Sequence, residues 1–146
     1  MTYRIKKVDG NDEDIAETLR DLHDEIFGDS APQVHPEEGW WWLAYAVDET
    51  RDIAGFCGVK PTTAHPKEMA YLARAGVLLR HRGRGLQKRF VRVREALCRA
   101  HGFTQLVTDT TDNIPSANNL IKCGYRLYRP QNPWGFAHTL YWIKDL

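Results

Sequence analysis

The sequence predicts an α/β fold in which a mixed, mostly antiparallel sheet is flanked by helices. Three observations carry this expectation. Segments with strand and helix periodicity follow one another in the order β-α-β-β-β-α-β-α-β-β. Polar turns at Asp48–Asp52 and Ala64–Lys67 link successive strands closely enough for hairpins. Only the step from the Met69 strand through a long helix to Gln105 offers the crossover that a parallel pair needs.

Tyr3 to Val8 alternates apolar and basic residues as a first strand does. Asn11 or Asp12 can cap the helix that follows, in which Ile15, Leu19, Leu22, His23 and Ile26 form one stripe ended by Gly28. Asp29 to Gly39 has two prolines and no period, so it reads as a loop. Trp41–Val47 and Ile53–Lys60 are apolar strands, and Met69–Leu79 is a longer one. Leu86, Phe90, Val93 and Leu97 recur at helical steps, giving an amphipathic helix that begins near Arg84 and closes at Gly102. Gln105–Thr108 is a short strand, and Pro115 opens a helix that Gly124 stops. Tyr125–Tyr128 and Phe136–Ile143 complete the sheet.

A chain of 146 residues, 42% hydrophobic and 27% charged, is expected to fold as a single domain over 1–146 with a core of its own. Neither a membrane span nor a signal-peptide core is visible. Cys57, Cys98 and Cys123 form no Cys-x-x-Cys pair and His23, His35 and His138 lack ligand spacing, so the expectation is a cytoplasmic protein with reduced thiols and no metal. A net charge of +1 conceals a segregation. Asp9 to Asp29 is acidic apart from Arg20, whereas Arg80 to Arg99 is basic apart from Glu95. A basic segment confined to one helix beside a glycine turn favours a small polyanion over nucleic acid.

That turn is the most informative feature. Val77, Leu78 and Leu79 lead into Arg80-His81-Arg82-Gly83-Arg84-Gly85-Leu86-Gln87-Lys88 and then into the basic helix. Glycines allow the backbone to curl so that several N–H groups face one hollow, and a helix start adds unpaired amides and positive potential. A diphosphate fits such a place. The third glycine of a dinucleotide turn is missing and the chain opens with antiparallel strands, and a Gly-x-x-x-x-Gly-Lys-Ser phosphate loop is absent as well.

In these residues the chain resembles the GNAT family of acyl-CoA-dependent N-acyltransferases. The family's Arg/Gln-x-x-Gly-x-Gly/Ala signature after a strand ending in Val is met by Val77 and Arg82–Gln87, with Gln87 replacing Gly/Ala. A second signature, Asn followed eleven residues later by Gly-Tyr, is met by Asn113 and Gly124-Tyr125. The resemblance implies the GNAT fold, with acetyl-CoA as co-substrate. It implies that the backbone of Val77 and Leu79 pairs with the pantetheine arm and that the amides from Gly83 through Arg84, Gly85, Leu86 and Gln87 to Lys88 grip the pyrophosphate. It further implies that Asn113 and Ser116 reach the cofactor, that Arg80, Arg84 or Lys88 neutralises the ribose phosphate, and that Val77 or Leu78 donates an N–H to the oxyanion.

The implied acid and base depart from the family pattern. Where many members carry a Tyr seven residues after the Asn, this chain has Leu120; where some carry a Glu five residues before it, this chain has Thr108. Positions on the long strand that serve other members correspond to Met69, Tyr71 and Ala73, which share a face. Of these only Tyr71 can move a proton. Tyr71, acting through a water, and Tyr128 are therefore the catalytic candidates. The amine acceptor is expected between the loop Asp29–Trp42, with acidic Asp29, Glu37 and Glu38, and the segment Asn132–Phe136. Three tryptophans in a row, Trp40–Trp42, must place at least one ring on the face away from the core. The expected activity is acetyl transfer to a small cationic amine, a peptide N-terminus or a protein lysine, with no nucleic-acid or membrane partner. A homodimer is compatible with the sequence. The alternative is a CoA-binding regulatory or assembly module that does not catalyse.

Overall fold

The computed structural model describes residues 2–62 and 68–146, so the turn expected at Ala64–Lys67 lies outside the described residues. In chain order the elements are β1 (Tyr3–Val8), α1 (Glu13–Phe27), β2 (Trp40–Ala46), β3 (Ile53–Pro61), β4 (Met69–Val77), α2 (Leu86–Ala100), β5 (Gln105–Thr110), α3 (Ile114–Lys122), β6 (Arg126–Leu127) and β7 (Leu140–Asp145). The seven strands hydrogen-bond in the order β1-β2-β3-β4-β5-β7-β6. β1 with β2, β2 with β3, β5 with β7 and β6 with β7 are antiparallel, whereas β4 and β5 are parallel, as the crossover through α2 requires. The mixed sheet and its helices are those the sequence predicts.

Several boundaries differ for local reasons. β4 stops at Val77, because Leu79–His81 closes a single 3-10 turn in which the His81 N–H donates to the Leu78 carbonyl. α2 starts at Leu86, since Gly85 at φ +80° cannot be helical. β7 starts at Leu140 because Thr139 folds back on Phe136: its N–H donates to the Phe136 carbonyl, and its hydroxyl accepts from the Phe136 N–H. No helix among the described residues is long and apolar enough to cross a membrane.

By internal contacts the chain divides into two compact units, residues 1–60 with 73–90 and residues 61–72 with 91–146. The first is built around Leu19, Leu22, Val34, Trp41, Leu43, Phe56 and Leu78. Asp12 caps α1 by accepting from the N–H groups of Asp14 and Ile15, and Gly28 ends it at positive φ. Trp41 and Trp42 lie on opposite faces of β2, and both are buried, at 4% and 5% exposure. The second ring therefore does face away from the first, but it is covered.

In the second unit, the basic helix turns two charged residues inward. Arg94 and Glu95 are 3% and 4% exposed. The Glu95 carboxylate sits 2.8 Å from the Lys144 ammonium and accepts from the Tyr125 hydroxyl at 3.0 Å. Burial, reinforced by Glu95, pushes the Tyr125 phenol upward. Burial likewise pushes the Cys98 thiol up to about 11, leaving it a protonated packing group.

Candidate functional site

The glycine turn belongs to the first unit. Leu78, held by an N–H bond to the Ala54 carbonyl at 2.8 Å, ties the end of β4 to β3. Backbone groups alternate along a strand, so those of Val77 point to the edge turned away from β3. Arg82 folds back, and its Nε donates to the Val77 carbonyl at 3.0 Å. Gly83 and Gly85 then take φ values of +76° and +80°. A Cβ at either would meet nothing within 4 Å, so the glycines are needed for backbone conformation, and the space over the turn is open. Buried Leu86 and Phe90 seat the start of α2, whose first-turn amides have no intrahelical acceptor. Arg82–Gly85 are exposed, while Gln87 and Lys88 are half-buried.

Two residues that sequence reasoning passed over, Asp52 and Tyr3, fix this turn. His81, 5% exposed, bonds Tyr3 Oη through Nδ1 at 2.9 Å and Asp52 through Nε2 at 2.8 Å. Arg80 forks onto the same carboxylate at 2.8 and 3.1 Å and lies 3.8 Å from Glu25. Arg80 is thus committed to protein carboxylates. Arg84 and Lys88 make no ion pair among the described residues. Hydrogen bonds from Arg80 first, then His81, hold the Asp52 carboxyl at about 2. A depressed carboxyl stabilises the folded state fully above its unfolded value near 3.8 and ceases to do so as pH falls through about 2. The stability gap between the wild type and Asp52→Asn should therefore be widest above pH 4 and close towards pH 2. Chemical denaturation at stepped pH measures it; a gap that does not change with pH would contradict this account.

The second unit holds the catalytic candidates. Val107 is the partner of Tyr71 in the parallel register, and Asp109, two residues on, faces the same way. Asp109 in turn is the partner of Tyr141, and Tyr128 donates its N–H to the Tyr141 carbonyl at 3.0 Å. One face of the sheet thus carries Tyr71, Asp109, Tyr141 and Tyr128 on successive strands and the segment beyond β6. Tyr71 Oη donates to Asp109 Oδ2 at 3.1 Å, and the Trp134 indole N–H donates to the same oxygen. The Trp134 ring meets Tyr71 edge-on at 6.0 Å and Tyr141 at 4.7 Å. The buried Tyr128 hydroxyl has no hydrogen-bond partner among the described residues. Burial, then Tyr141 and Asp109, raises its pKa and keeps it protonated.

Asp109 was not singled out by spacing. Counting back from Asn113 lands on Thr108, which is buried and donates its hydroxyl to the Leu72 carbonyl at 3.1 Å. Only the register of β4 against β5 brings its neighbour, Asp109, next to Tyr71. At the start of α3, Asn113 spends its side-chain oxygen on the Ser116 N–H at 3.1 Å as a cap. In the loop 29–42, Glu38 pairs with Lys60 at 3.0 Å and Glu37 lies 3.6 Å from His35. Among the described residues no group of His, Cys, Asp and Glu could hold a metal ion.

Comparison with known proteins gives this architecture a context. The profile described as the acetyltransferase (GNAT) family matches residues 12–125. No curated protein matches. Of the solved structures, the NatC complex bound to Gag peptide and CoA is 16% identical, with 100% of this chain and 99% of that chain covered at a TM-score of 0.78. The GNAT domain of S. lividans PAT is 16% identical over 100% of this chain and 92% of that one, TM-score 0.76. A Bacillus subtilis acetyltransferase in complex with CoA is 16% identical over 99% of each chain, TM-score 0.69. At these identities the likeness is one of fold.

Proposed function

Because this chain belongs to the GNAT family of acetyltransferases, we propose that it moves an acetyl group from acetyl-CoA to a primary amine by direct attack in a ternary complex. The observation that carries the reading is the turn Arg82–Lys88, where two left-handed glycines leave open space beside the first amides of α2. Those amides hold the pyrophosphate, and Arg84 and Lys88 supply positive charge. The pantetheine arm follows Val77 on the free edge of β4 and continues towards Leu79. With the Leu78 N–H already engaged by Ala54, the oxyanion donor is Val77. Asn113 and Ser116 are retained as cofactor contacts on the family pattern alone.

An ammonium must shed one proton before its nitrogen can attack the thioester carbon and another as the amide forms. The C–S bond breaks, one proton converts the departing thiolate to thiol, and the other reaches solvent. Tyr71 accepts from the amine as its own proton passes to Asp109, a relay for which the 3.1 Å bond is already made. Tyr128, held protonated, serves as donor to the sulfur. Thiol release from acetyl-CoA across a panel of amines tests the reading; a CoA-binding module without catalysis would bind coenzyme A and release none. Tyr71→Phe is expected to lower turnover about a hundredfold with coenzyme A affinity unchanged, and an unaltered rate would remove Tyr71 from the relay.

A further inference from the structure

We propose that the Arg82 side chain is a latch: in the free protein it occupies the strand edge that the pantetheine arm needs, and the diphosphate draws it off. The proposal rests on the acetyltransferase reading and deepens it, since it states how that cofactor site is controlled. Every residue it uses lies in the first unit. The first observation is the contact itself. Arg82 Nε donates to the Val77 carbonyl at 3.0 Å. The Leu78 N–H is turned towards Ala54 on β3 at 2.8 Å, so the Val77 carbonyl faces the opposite edge of β4. A ligand that adds to this edge as an extra strand must bring its N–H to that carbonyl. An arginine already stands there.

The second observation is how lightly the latch is held. Arg82 is exposed, and Nε is its one bonded side-chain nitrogen among the described residues. Arg80, by contrast, is tied to Asp52 through two bonds and lies 3.8 Å from Glu25. The main chain at Arg82 is fixed, because its N–H donates to the Leu79 carbonyl at 3.2 Å and Gly83 follows at φ +76°. Only the side chain has to move. A neutral carbonyl is a weak partner for a guanidinium, whereas a phosphate takes it in two parallel, charge-assisted bonds. The third observation is the open space beside it: a Cβ at Gly83 or Gly85 would meet nothing within 4 Å. A diphosphate held by that turn adjoins Arg82.

The exchange couples the two halves of the cofactor. A diphosphate takes the guanidinium and clears the Val77 carbonyl, and the arm then binds an edge that is ready for it. An arm without a diphosphate must displace the latch with nothing to receive its charge. The site thereby favours thioesters of complete coenzyme A over those of pantetheine lacking the nucleotide.

The test uses two fragments in calorimetric titrations of the full chain. S-acetylpantetheine carries the arm without the diphosphate, and ADP carries the diphosphate without the arm. In the wild type, saturating ADP is expected to tighten S-acetylpantetheine binding about fivefold. Arg82→Met removes the donor and the charge at similar length. It should bind S-acetylpantetheine about fivefold tighter than the wild type, bind ADP about fivefold more weakly, and show no coupling between them. A merely structural Arg82 predicts the opposite for the arm, since a loosened turn would weaken both fragments. Melting curves check the variant, and the wild-type coupling is read without it. No coupling in the wild type, or a folded Arg82→Met that binds S-acetylpantetheine no better, would overturn the latch. Coenzyme A is titrated in parallel. Coenzyme A binding without coupling between the fragments discards the latch and leaves the acetyltransferase reading standing, whereas no binding of coenzyme A removes both.

Discussion

Gly85→Glu is expected to abolish coenzyme A binding, an affinity loss of a hundredfold or more, in a protein that still melts cooperatively. Two effects add. Gly85 sits at φ +80°, where a residue with a Cβ is strained by about 1–2 kcal/mol. The new carboxylate would also stand beside the amides that are to meet a diphosphate, exchanging attraction for repulsion. The fold should survive, because an added Cβ meets nothing within 4 Å and the residue is exposed. Gly85→Ala separates the contributions, since it imposes the strain without the charge. Titration of coenzyme A into both variants, with thermal melts as controls, gives the answer; near-wild-type affinity in Gly85→Glu would remove the turn from the cofactor site.

Gly55→Ala should cost about 3 kcal/mol of stability, together with weakened coenzyme A binding. A Cβ at Gly55 would lie 2.4 Å from the Gly76 carbonyl oxygen and 3.2 Å from the Val77 Cα. Both are backbone atoms and cannot rotate away, so β3 and β4 would have to part. The next residue along β3, Ala54, holds the Leu78 N–H that sets where β4 ends and the glycine turn begins. The cost of one methyl group would thus reach the cofactor loop. Denaturant unfolding and coenzyme A titration measure the two losses. A fully stable Gly55→Ala protein would mean that the strands can yield there.

The sequence made the element order legible because its periodicities are strong and its turns carry glycine, proline and acidic residues. The cap of α1 was narrowed to Asn11 or Asp12, of which the structure uses Asp12, and Gly28 as its end and the lone parallel crossover were readable. Strand ends were less so: Leu79 and Phe136 are apolar and look like strand, but backbone bonds at His81 and Thr139 draw them into turns. The glycine turn could be read as a candidate site because the residues that would form it are consecutive. The Tyr71–Asp109 pair could not, since it depends on the register of β4 against β5. Spacing counted along one strand cannot report a partner on the next. Glu95 was legible only as the one acid of a basic segment, and its burial against Lys144 and Tyr125, far along the chain, was not.

Tyr3 moors both banks of the glycine turn. Its hydroxyl meets His81 ahead of the glycines, and its carbonyl accepts from both terminal nitrogens of Arg89 behind them at 3.2 Å each. The first strand is therefore part of what holds the glycine turn in place. Loss of either contact of Tyr3 would be felt as slack in the loop, so comparisons of coenzyme A affinity are sound only between preparations in which this strand is intact.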